Sequence, residues 1–63
     1  MDPNANLQEQ LQLATALVEL DPDKEDSHGL SSACYDARRL AELVLALDEW
    51  INRGGFLPTQ WKR

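Results

Sequence analysis

The run from Ser31 to Trp61, SSACYDARRLAELVLALDEWINRGGFLPTQW, limits the folds open to this chain more than any other stretch. On a helical wheel, Ala33, Ala37, Leu40, Ala41, Val44, Leu47 and Ile51 fall within about 60° of one line through Val44. Leu43 and Trp50 widen that stripe on one side and Leu45 on the other. The apolar arc then spans roughly 220°, where a single core-facing stripe needs roughly 100°. A helix so broadly apolar needs more than one neighbour. Arg38, Arg39, Glu42, Glu49 and Arg53 hold the opposite face, with Glu49 and Arg53 in the favourable i, i+4 order.

Both ends of this helix carry signals. Ser31 or Ser32 offers a hydroxyl to the free N–H groups of a first turn. With Ser31 as the cap, Leu30 and Tyr35 take the hydrophobic-staple positions. Beyond Arg53 come Gly54 and Gly55, which can take the left-handed conformation that stops a helix. Pro58 cannot extend a helix from within. The chain is therefore expected to reverse at the glycines, and Phe56, Leu57 and Trp61 to fold back on the helix end near Trp50 and Ile51.

The segment RLAELVLALDEWINRGGFLPTQW, Arg39 to Trp61, resembles the C-terminal half of small bacteriophage-encoded proteins that share an A-L-D-E-W…G-G-F-L-P-x-x-W pattern. The glycine pair, the Phe-Leu-Pro run and the second tryptophan recur together there. The resemblance implies a phage origin and brings no activity with it.

Upstream, MDPNAN is a polar lead-in. Asp2 with Pro3 is one helix start, and Asn6 with Glu9, spaced as a capping box, is another. Leu7 to Leu20 carries apolar residues at spacings of three and four, which points to a helix rather than a strand. Leu7, Leu11, Ala14, Leu17 and Val18 form its stripe, Leu13 and Leu20 widen it, and Gln10 sits inside it. The connection DPDKEDSHG follows. Pro22 biases Asp21 away from helical geometry and so ends the helix, while Asp21 can cap a short turn. Asp21, Asp23 and Glu25 fall at the first, third and fifth places of a calcium loop. Asp26 then stands where that loop needs glycine, and Ser32 where it needs a bidentate glutamate. With one cysteine and one histidine, Cys34 and His28, the chain cannot complete a zinc site by itself. Asp48 is a charge on the apolar stripe. It must be solvated, paired or capped, and backbone N–H groups near Asn6 would be within its reach in an antiparallel hairpin.

The expected fold is all-α: one small helical domain over residues 1–63. It is an antiparallel two-helix hairpin, with helices near 6–20 and 32–53, an acidic loop at 21–30, and an aromatic tail at 54–63 packed on it. Sixty-three residues bury little surface, and a lone cysteine gives no disulfide framework. A homodimeric four-helix assembly, or docking on a host protein, would cover the rest of the arc.

A net charge of −5 argues against a basic nucleic-acid or membrane-binding patch. No 18-residue apolar run and no secretory leader is visible, and a single cysteine suits a reducing compartment. The expected location is the cytoplasm, that of the host for a phage protein. No nucleophile–base pair, phosphate loop or metal cluster stands out, so neither an enzyme nor a cofactor is expected. What remains is a small interaction protein whose partner is a host protein, a second copy, or both. Leu43, Trp50, Phe56, Leu57 and Trp61 are the candidate surface, although tryptophans at 50 and 61 also suit a small core. The second option is an acidic decoy that occupies a nucleic-acid-binding protein. Arg38, Arg39 and Arg53 interrupt any continuous acidic face for it.

Overall fold

The computed structural model describes residues 1–21, 23–24 and 26–62. Two α-helices, Pro3–Glu19 (α1) and Ser27–Asn52 (α2), pack as a hairpin, followed by a 3-10 turn at Thr59–Trp61. The described residues contain no strand. The antiparallel register is fixed at two places: Asn6 lies opposite Leu43, and Glu9 opposite Arg39. The molecule measures 42 × 21 × 13 Å, so it is about one helix thick in its thinnest direction.

α1 starts at the earlier of the two marked positions. The Asp2 carboxylate accepts from the N–H groups of Asn4 (2.9 Å) and Ala5 (3.3 Å), and Pro3 occupies the first turn, where its missing N–H costs nothing. Asn6 is therefore not a cap. It lies inside the helix, is buried, and donates from Nδ2 to the Leu43 carbonyl at 3.0 Å. Gln10 Nε2 donates in turn to Asn6 Oδ1 at 2.5 Å. This explains why two polar side chains sit on the apolar stripe of α1: Asn6 is satisfied across the helix interface by Leu43, and Gln10 by Asn6 within α1.

α2 begins earlier than the serines suggest, at Ser27. Asp26 is its cap, accepting from Gly29 N–H at 2.8 Å. Leu30 and Tyr35 are thus both inside the helix and exposed, not a staple across its start. The connection shrinks accordingly. Asp21 caps a turn there, accepting from the N–H of Asp23 on its side chain and from that of Lys24 on its carbonyl, at 3.0 Å each. The expectations placed on Pro22 and Glu25 lie outside the described residues.

The line along which α2 meets α1 is displaced from the centre of the sequence stripe. Leu43 and Leu47 are buried, and Asp36, Leu40 and Trp50 are half-buried. Val44, Ala37 and Ala41, at the stripe's middle, are exposed, and Leu45 keeps 70% of its surface. The cause is area. Leu40, Leu43, Leu47 and Trp50 remove far more apolar surface from water than two alanines and a valine, and burial energy follows area. α1 shows the same displacement: Leu7 is buried, while Leu11 is exposed and Val18 is 85% exposed.

On the surface, the Arg39 guanidinium grips the Glu9 carboxylate with two hydrogen bonds, Nε–Oε2 at 2.7 Å and Nη2–Oε1 at 3.1 Å. This fork holds the Glu9 carboxyl below its usual range and raises Arg39; in both, the side-chain hydrogen bond is the largest cause. Arg38 pairs with Glu42 and Arg53 with Glu49 within α2.

Candidate interaction surface

The end of α2 is shaped by a two-bond glycine stop. Gly54 N–H reaches the Ile51 carbonyl at 3.0 Å, and Gly55 N–H reaches that of Trp50 at 2.9 Å. These are the two bonds of a Schellman motif, with Gly54 in the left-handed conformation at φ 92°. Gly55 has a different task. A Cβ there would run into the Trp50 indole, so the missing side chain is what lets the ring lie across the chain reversal.

Trp50 uses that position twice. Its Nε1–H donates to the Phe56 carbonyl at 2.9 Å, and its ring meets the Phe56 ring edge-on, with centroids 5.5 Å apart and planes at 86°. Such pairs gain from the quadrupoles of both rings. The chain then reaches Pro58, which is fully buried, as is Pro3. The next N–H, of Thr59, donates to Asn4 Oδ1 at 2.6 Å, tying residue 59 to the first turn of α1. The 3-10 turn follows, closed by Trp61 N–H on the Pro58 carbonyl at 3.0 Å.

Trp61 lies beside a concavity of about 200 Å³ shared with Gln10, Val44, Leu47, Asp48 and Ile51. Gln60 shares a wider, open one of about 450 Å³ with Gln8, Leu11, Gln12 and Thr15. Met1 and Trp50 line a third, of about 320 Å³, with Ala46, Glu49 and Arg53.

Of the five candidate surface residues, Leu43 belongs elsewhere. At 7% exposure it is core, under Asn6, and offers nothing to a partner. Trp50 is half-buried. Phe56 and Trp61 remain 56% and 47% exposed, and Leu57 is exposed beside them. Asp48 does not reach the start of α1. It is exposed and accepts from Asn52 Nδ2 at 3.2 Å, while Asp2 performs the capping that Asp48 could have done. The sequence reading passed over Val18, Leu45 and Met1 as surface residues; a short partner helix, unable to cover a 220° arc, is the signal that pointed to Leu45.

Among the described residues no helix is long and apolar enough to cross a membrane. Compared with protein-family models, with curated proteins and with solved structures, the chain matches none.

Proposed function

We propose that this chain is a small non-enzymatic interaction module of bacteriophage origin that binds a host protein, a second copy of itself, or both. The aromatic segment that packs on the end of the hairpin supplies part of its binding surface. One observation carries this: among the described residues, the two buried prolines aside, the buried apolar side chains are Leu7, Leu43 and Leu47, while Val18, Tyr35, Leu45, Phe56 and Trp61 stand in water. A chain that exposes Tyr35, Phe56 and Trp61 and buries three leucines has its largest apolar contacts still to make. The phage origin rests on the pattern in residues 39–61. The free, exposed Cys34 fits the reducing cytoplasm of a host.

The test is affinity capture from a host lysate with wild type and with Phe56→Ala and Trp61→Ala, each at low and high salt. A partner held at high salt and lost with the aromatic substitutions supports the proposal. A partner that ignores both substitutions overturns it. The exposed acids at the turn, Asp21, Asp23 and Asp26, favour a second reading, an acidic decoy of a nucleic-acid-binding protein. A decoy's partner would be released by salt, because exposed charges are screened.

A further inference from the structure

We infer that the partner includes a second copy of this chain, seated antiparallel along the outer seam of α2. This rests on the protein-binding role proposed above and names one occupant for it. Cys34, Arg38, Ala41, Leu45, Asp48 and Asn52 follow one another at alternating spacings of four and three. That alternation averages three and a half residues, the period at which one helix keeps a continuous seam toward another. The face that α2 turns to α1 has the same form: Asp36, Leu40, Leu43, Leu47 and Trp50, all buried or half-buried. The outer seam lies on the far side of the helix, and all six of its residues are exposed.

The outer seam is complementary to itself. Its midpoint falls at residue 43. Turned about a two-fold axis there, a second copy sets Arg38 against Asp48, Ala41 against Leu45, and Cys34 against Asn52. Opposite charges meet in one layer, and a large side chain meets a small one in the next, so Leu45 fills the room above Ala41. A parallel pairing would set Arg38 on Arg38, Asp48 on Asp48 and Ala41 on Ala41. It would repel at both ends and leave a void between the alanines. Val44 and Ala37, both exposed, flank the seam on one side and extend its apolar part. On the other flank the two Glu42 carboxylates face each other. Each lies within reach of its own chain's Arg38, at 3.3 Å, so that guanidinium serves both Glu42 and the second copy's Asp48. The Arg38 side chain is 82% exposed and free to do so. In the dimer each α2 has α1 on one side and a second α2 on the other, which meets the need of its broad apolar arc.

Sedimentation equilibrium of the full chain at tens of micromolar should show a dimer, and Leu45→Glu should return it to monomer. Arg38→Asp and Asp48→Arg should each weaken dimerisation by about tenfold or more, and the two together should restore most of it. Asp48→Arg is the sharper single test. It lowers the net negative charge, so general repulsion would make that variant dimerise better, not worse. Circular dichroism of every variant should keep the helix content of wild type, since all three positions are exposed. A monomeric wild type, or a dimer indifferent to Leu45→Glu and to the charge exchange, overturns the seam. The binding surface assigned to the aromatic segment fails by a different result: host capture untouched by Phe56→Ala and Trp61→Ala, whatever the state of association.

Discussion

Asn6 donates its side-chain N–H to the backbone carbonyl of Leu43, at 3.0 Å and out of water, from the first turns of one helix to the middle of the other. Nothing apolar could do this. Leucines in a hairpin slide past one another at little cost, whereas a buried amide is satisfied at one register only. Placing it elsewhere would leave a polar group unpaired in the core. Gln10 completes the arrangement by donating to Asn6 Oδ1.

Replacing Asn6 by alanine should therefore destabilise the hairpin by about 1–3 kcal/mol, the range for removing one partner of a buried hydrogen bond. Asn6→Leu should recover part of the stability and lose uniqueness of register. Urea unfolding measures the first effect, and line broadening in an amide correlation spectrum the second. A leucine variant with both full stability and sharp lines would show that Asn6 does not set the register.

The Glu9–Arg39 fork marks the same register at the surface and makes stability pH-dependent. The folded chain holds the Glu9 carboxyl below the ordinary glutamate value of about 4.3. The folded state thus binds that proton less readily than the unfolded state, and acid favours unfolding. The contribution is complete above the unfolded value and is lost as pH falls through the lower, folded one. The melting temperature of wild type should exceed that of Glu9→Gln at neutral pH, and the two should converge in acid. A gap that persists at the lowest pH would assign the difference to packing instead.

The two helices, their antiparallel order and the glycine stop were legible because each has a local signal: spacing of three and four, Asp2 with Pro3, and Gly54 with Gly55. The start of α2 was not. Asp26 is a good cap, but it stands in an acid-dense run with Gly29 just beyond, and such composition reads as loop. Only the bond from Gly29 N–H to Asp26 shows that the glycine lies inside the first turn. Nor could a wheel say which part of a 220° arc a short partner would choose, since it weighs alanine and leucine alike. Burial weighs area, and α1 settled on Leu43 and Leu47. For the same reason Leu43 looked like surface, while the role of Asn6 stayed hidden in a stretch that resembled a polar lead-in.

The two glycines should respond differently to alanine. At Gly54, with φ 92° and open space around it, alanine meets only backbone strain, about 1–2 kcal/mol for a left-handed residue. At Gly55 the added methyl must displace the Trp50 indole and break its bond to the Phe56 carbonyl. On a Trp61→Phe background, Gly55→Ala should shift Trp50 emission to longer wavelength, and Gly54→Ala should leave the emission in place while lowering the melting temperature. Equal spectra for the two variants would remove the close approach as the reason for Gly55.

The C-terminal segment is held by three features of different kinds: the bond from the Trp50 indole to Phe56, the buried ring of Pro58, and the bond from Thr59 N–H to Asn4. The last of these closes the chain on itself, because Asn4 lies in the first turn of α1. Deleting residues 56–63 removes all three, exposes Trp50, and takes from α1 the contact at its start. If the loss is about 2 kcal/mol, the melting temperature should fall by roughly 10 °C for a chain of this size. Chain concentration must be equal in the two samples, since a self-associating protein melts higher when more concentrated. Trp50 emission in the truncated chain, set against full-length Trp61→Phe, reports the exposure directly. A red shift together with the lower melting temperature means that the segment closes the end of the hairpin in the isolated protein. Unchanged emission and melting would mean that Phe56, Leu57 and Trp61 are free until a partner binds, and the capture experiment should then depend on them more steeply than the melting temperature does.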